Sequence, residues 1–272
     1  MKGITFIELL FAMALTILIC SSVATIYLAS VKNHLTTASL QNIQQNARVA
    51  FQLLNSALRL AGYIGCAKLT DNFPIFYSES YKITSENKIQ SYEGNELKTG
   101  TNAFTIRYSS SLNNTLITTM NKLDTLQISN YLKVSIGDVL LISDCKTADI
   151  FVVLNISIQK DGTQLLTADR NLSKRYEKNA EISLFNIDTF YIGKTDRKDK
   201  NGFPIWALYK KDQFAHKTEL VEGITDMQIR YTNGNSIENG DSVIGVSVQL
   251  NFVSLNDIPL QKINYDYIAL RE

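Results

Sequence analysis

Gly3-Ile4-Thr5-Phe6-Ile7-Glu8-Leu9-Leu10 opens an apolar run that continues almost unbroken to Val31. A single carboxylate, Glu8, stands near the start of this membrane-length segment. An ionised side chain at a bilayer centre costs roughly 2.5 to 3.5 kcal/mol on insertion scales, so Glu8 is the residue to explain. Between residues 9 and 29 only hydroxyls and Cys20 interrupt the apolar character. About 20 such residues are what a helix needs to cross a hydrocarbon core. A cleavable secretory signal is the competing reading, with Lys2 as its basic region and Ala24 or Ser30 at the cut. Its apolar region would run only about 7 to 15 residues, shorter than the stretch here. For Glu8 itself the plainest reading is a carboxylate favoured by the helix N-terminus and reaching the headgroups.

Working outward, no Gly or Pro occurs between Gly3 and Gly62, an interval rich in Ala, Leu, Gln and Asn. One helix of that length would be about 85 Å long at 1.5 Å per residue. From residue 40 the pattern turns amphipathic. Leu40, Ile43, Ala47, Ala50, Leu54, Ala57 and Ala61 alternate steps of three and four, with Phe51 and Leu58 beside them. Gln44, Gln45, Arg48, Gln52, Asn55 and Arg59 fall mostly on the other side, as expected where half a helix lies on a sheet. A coiled-coil seam fits the spacing too, but so many alanines make a thin interface, and core packing is preferred. Gly62 is the expected C-cap.

The remainder reads as one β-rich domain. Strands are expected over 103–108, 124–129, 139–143, 150–157, 164–168, 182–192, 205–209, 224–231, 243–252 and 263–270. Met227-Gln228-Ile229-Arg230-Tyr231 and 246–252 alternate apolar with polar, the mark of a sheet with one wet face. Asp161-Gly162, Asn201-Gly202, Asn233-Gly234 and Asn239-Gly240 are turn signals between them. Strands following one long helix make the fold α+β. Residues 70–101 read as loop with one irregular strand, and 194–202 as a solvated hairpin tip rather than an anion site.

Enzymatic classes fail on inventory. His34 and His216 form no triad spacing with a Gly-flanked Ser or a free Cys, and neither falls in a metal-ligand cluster. Arg197-Lys198-Asp199-Lys200-Asn201-Gly202 is similar to the middle of an EF-hand loop, yet Arg197 and Leu208 occupy the places of essential carboxylates. No catalysis, metal or cofactor is expected. A net charge of +1 provides no nucleic-acid field, so no specific nucleic acid is expected as partner. Cys20 sits in the apolar run as a small thiol. Cys66 and Cys145 admit two readings, a bridge from the helix terminus to the sheet or two unbridged thiols.

The opening residues resemble the class III signal of type IV pilins, through Gly3, Thr5, Ile7 with Glu8, and Leu9. Ile4 stands where the family usually has Phe, and the leader is short. The resemblance implies a leader 1–3 removed by a prepilin peptidase between Gly3 and Ile4, followed by methylation of the new Ile4 amine. A pilin helix would span 4–62, with about 4–30 in the membrane, and a periplasmic head 63–272. Cutting before Ile4 creates an amine four residues from Glu8. A neighbouring subunit's amine would then satisfy that carboxylate and set the stagger between packed helices. Thr25 occupies the place where many major pilins carry a kinking Pro.

A narrower resemblance runs through Ala61-Gly62-Tyr63-Ile64-Gly65-Cys66, then 137–145 ending in Ser143-Asp144-Cys145, then 219–231 from Glu219-Leu220-Val221-Glu222-Gly223-Ile224 to Tyr231. These blocks look like the PilW family of minor pilins, in that family's order. The resemblance implies a Cys66–Cys145 disulfide and an inner-membrane, single-pass structural subunit that primes or caps a type IV pilus. Its partners would be other minor pilins, the major pilin and a tip adhesin. A minor pseudopilin of type II secretion is the nearest alternative. A tip adhesin or DNA-binding module using the tyrosines and lysines of 70–101 is another.

Overall fold

A computed structural model describes residues 6–67, 69–70, 72–200, 202–233, 243–255 and 260–270. One helix, α1 (Phe6–Leu60), runs without interruption through the interval that lacks Gly and Pro. Thirteen strands follow among the described residues. They are β1 (Ile75–Phe76), β2 (Ile89–Ser91), β3 (Phe104–Thr115), β4 (Thr125–Ile128), β5 (Val139–Ser143), β6 (Ala148–Ile158) and β7 (Gln164–Ala168). Beyond them come β8 (Glu181–Lys198), β9 (Pro204–Lys211), β10 (Lys217–Glu222), β11 (Ile224–Asn233), β12 (Val243–Val253) and β13 (Gln261–Ala269). The fold is α+β, and the described strands form two sheets.

Strands β1 to β10 make a ten-stranded sheet, with β10-β9-β8-β5-β6-β7-β4 along its main path. Strand β8 pairs with β3 on one side and with β5 and then β9 on the other. Among the described residues, only the short β1–β6 pair is parallel. A second sheet, β11-β12-β13, is antiparallel throughout. Residues 70–101 hold two short strands and a 3₁₀ turn at Glu79–Tyr81, more structure than expected. Residues 194–198 belong to β8, so the hairpin begins later than the composition suggests. Strand β10 is absent from the expected set, because Lys-Thr-Glu at its start masks any alternation. The Asp161-Gly162 turn is present, with Gly162 at φ +80. Asn233-Gly234 and Asn239-Gly240 fall partly or wholly outside the described residues.

The helix stripe and the sheets share a core. Ile43, Ala47, Ala50, Leu54 and Leu58 pack against Val246, Val248, Leu250, Phe252 and Ile268 of the second sheet, and against Phe104, Ile106, Phe190, Ile192 and Leu208 of the first. Phe104 and Phe190 stack at 5.2 Å. A second cluster lies farther along the large sheet around Leu126, Ile128, Leu140, Ile142, Phe151 and Leu166. Val139 and Leu141 face a third cluster with Ile64, Ile83, Ile150 and Phe185. Strand β5 is thus buried on both faces, which is why it reads as an unbroken apolar run.

Two polar joints hold loops to this frame. Gly62, at φ +80, donates its N–H to the Arg107 carbonyl at 2.8 Å, fixing the helix end to β3. Asp149, fully buried, accepts from Arg170 Nη2 (2.9 Å), the Ser173 amide (3.1 Å) and hydroxyl (2.5 Å), and the Tyr176 hydroxyl (2.8 Å). Those donors tie the irregular connection between β7 and β8 to β6, and a buried carboxylate tolerates burial only with such partners.

Candidate functional site

The feature with no use inside the fold is the first half of α1. From Phe6 to Leu35 every side chain is exposed, and the first fully buried helix residue is Ser39. That half extends about 45 Å at 1.5 Å per residue. It contains a stretch long and apolar enough to cross a membrane, none of it covered by the rest of the protein. Three of its hydroxyls close on the helix's own backbone. Thr16 Oγ1 donates to the Ala12 carbonyl at 2.7 Å, Ser22 Oγ to Leu18 at 2.8 Å and Thr25 Oγ1 to Ser22 at 2.8 Å. Hydroxyls bonded back to their own helix present little unsatisfied polarity to an apolar neighbour. Sequence reading took these residues only as interruptions of the apolar run. Their role becomes visible once the backbone is helical, because the donors then lie one turn from carbonyls.

Glu8 stands exposed in the first turn of the described helix, where the macrodipole favours a carboxylate. Gly3 and Ile4, the expected processing residues, lie outside the described residues. Thr25 sits within unbroken helix. Cys20 is an exposed cysteine on the same half. The helix therefore divides into an outward apolar half that begins with an acid and a docked half of about 37 Å.

At the far end of the docked half, Cys66 and Cys145 form a disulfide, with Cα atoms 5.2 Å apart and a sequence separation of 79. The Cys66 amide donates to Glu181 Oε2 at 2.9 Å, and Lys174 pairs with Asp144 next to Cys145. The carboxyl of Asp144 is pushed up by burial, but hydrogen bonds from Lys174 and from the Lys146 and Thr147 amides outweigh this and hold it below its ordinary value. Nothing in the local sequence announces Glu181, whose contact arises from the long-range pairing of β8 with β3 and β5. At the other end Asn46 Nδ2 donates to the Glu222 carbonyl (3.2 Å), and Asn55 Nδ2 to Asp266 Oδ2 (2.7 Å), so polar bonds flank the apolar stripe.

The histidines lie apart. His34 is exposed on α1, and His216, in the turn before β10, meets Asp212 Oδ2 at 3.0 Å. Arg197, in the segment similar to an EF-hand loop, binds Glu219 and, at 2.8 Å, Glu222. A guanidinium in that place supplies positive charge where a calcium loop would supply an oxygen ligand. Comparisons with protein-family models, curated proteins and solved structures find no significant match.

Proposed function

We propose that the chain is a minor pilin of the PilW type. It resides in the inner membrane through the exposed half of α1, carries its head in the periplasm, and enters a type IV pilus as a structural subunit that primes or caps the filament. One observation carries the reading. A continuous helix is half naked and apolar and half docked into a disulfide-closed α+β head. A lone signal segment has no reason to continue as the core helix of the domain it delivers. Here the same helix does both.

On this reading a prepilin peptidase cuts between Gly3 and Ile4, and Glu8 pairs with the Ile4 amine of a neighbouring subunit. Other minor pilins, the major pilin and a tip adhesin are the partners. The work is packing rather than catalysis. Deletion of the gene, complemented with wild type and with Glu8→Val, tests it. Surface filaments should disappear, return with wild type, and stay largely absent with Glu8→Val. Loss of enzyme export with filaments intact would assign the chain to a type II secretion pseudopilus. Normal filaments and normal export would refute the structural role.

A further inference from the structure

Three Asn-x-Ser/Thr triplets occur in the sequence, at Asn113, Asn155 and Asn171. Such a triplet is the acceptor pattern of N-linked glycosylation when its middle residue is not Pro. Bacterial oligosaccharyltransferases make a further demand, an acidic residue two positions before the Asn, whose charge a cationic group of the enzyme holds. Asn171 alone meets it. It stands in Asp169-Arg170-Asn171-Leu172-Ser173, whereas Ser111 holds the corresponding place before Asn113 and Val153 the one before Asn155.

The fold separates the three in the same way. Asn155 pairs with Thr167 in the β6–β7 ladder, and its Oδ1 accepts the Ile156 amide at 2.9 Å. Asn113 lies within β3, paired with Ser183 of β8. Asn171 belongs to no strand and stands exposed on the irregular connection between β7 and β8. Arg170 Nη1 bonds its backbone carbonyl at 3.3 Å, leaving the side-chain amide outside the joint around Asp149. Leu172 beside it is buried in the second core cluster, whereas the docked half of α1 packs in the first, so a bulky group at 171 leaves the helix packing untouched. The flanking side chains are engaged once the head is closed. Asp169 Oδ1 accepts the Val152 amide at 2.9 Å, and Ser173 Oγ donates to Asp149 Oδ2 at 2.5 Å. Modification therefore falls to the emerging chain, before this connection settles onto β6, and the finished head keeps the modified Asn at its surface.

We infer that Asn171 is an acceptor for bacterial-type N-glycosylation. Its Nδ2 attacks the anomeric carbon of an oligosaccharide carried on a polyprenyl diphosphate. A carbon–nitrogen bond forms, the bond from that carbon to the diphosphate oxygen breaks, the polyprenyl diphosphate leaves with the electron pair, and the amide proton passes to the enzyme. The inference rests on the reading that the head enters the periplasm, and the test separates the two. The full chain, with Asp-Gln-Asn-Ala-Thr appended as a second acceptor, is produced in cells holding a bacterial oligosaccharyltransferase and its polyprenyl-linked oligosaccharide, and its peptides are read by mass spectrometry. The glycan should be found on Asn171 and on the appended acceptor, with Asn113 and Asn155 bare. Asp169→Asn, whose side-chain oxygen can still accept the Val152 amide, should lower occupancy at 171 by about tenfold or more, the worth of one hydrogen bond to a charged group. Asp169→Glu should retain it. A bare Asn171 beside a modified appended acceptor overturns the proposal and leaves the periplasmic reading intact. Occupancy at 171 that ignores Asp169→Asn, or equal modification at 113 or 155, also overturns it. If neither Asn171 nor the appended acceptor is modified, the periplasmic reading itself fails, and this proposal with it.

Discussion

Asp149 concentrates more polar bonds than any part of the outward helix, and its replacement should be felt by the fold rather than by assembly. Asp149→Ala removes the carboxylate partner of Arg170, which keeps its bonds to the Phe76 and Ile150 carbonyls, and the acceptor of Ser173 and Tyr176. Thermal unfolding should show a loss of about 3 kcal/mol, the scale on which breaking a buried ion pair is destabilising. A second residue-scale expectation concerns pH. Hydrogen bonding from Lys211 is the main influence holding the Glu96 carboxyl below its ordinary value of 4.5. A carboxyl depressed in the fold favours the native state above its unfolded value and loses that contribution as pH falls through the folded one. Asp144, also depressed, acts in the same direction. Unfolding temperature should therefore drop below pH 4.5, and Glu96→Gln should flatten that acid limb in a pH series. These partners were not legible in the sequence, because Glu96 and Lys211 meet only through pairing of distant strands.

At the scale of the element, α1 contains its own control. Leu54 is fully buried and Leu18 is 65% exposed, yet both lie on one helix. Leu54→Ala should destabilise the head by roughly 2 to 5 kcal/mol through lost burial and the cavity left behind. Leu18→Ala should leave the head's unfolding unchanged, as differential scanning calorimetry of the two variants would show. The stripe of the docked half was largely readable: Ile43, Ala47, Ala50, Leu54, Leu58 and Ala61 are buried as their spacing predicts. Leu40 is not, and Ser39 takes the buried place instead. Helix period is a local property and survives in sequence. Strand β10, beginning with Lys217 and Thr218, hides because its identity comes from pairing with β9 rather than from its own pattern.

For the whole molecule, sheet membership was the least legible feature. Which strands share a sheet depends on contacts such as β3 with β8, far apart in the chain, and alternation in each strand is silent about its neighbours. The disulfide acts at this same scale. Closing a loop of 79 residues should stabilise the head by roughly 3 to 4.5 kcal/mol in the chain-entropy account. Cys66→Ser with Cys145→Ser should lower the unfolding midpoint accordingly, and reductant should then have no further effect. The division of α1 links these scales, since one half is docked in the head and, on the proposed reading, the outward half supplies attachment. Its central claim is that this half is a processed filament-subunit helix. Intact-mass analysis of the chain purified from membranes of cells with active prepilin peptidase tests that most directly. The account predicts a mature N-terminus at N-methylated Ile4. A chain that still begins at Met1 in those cells would contradict it.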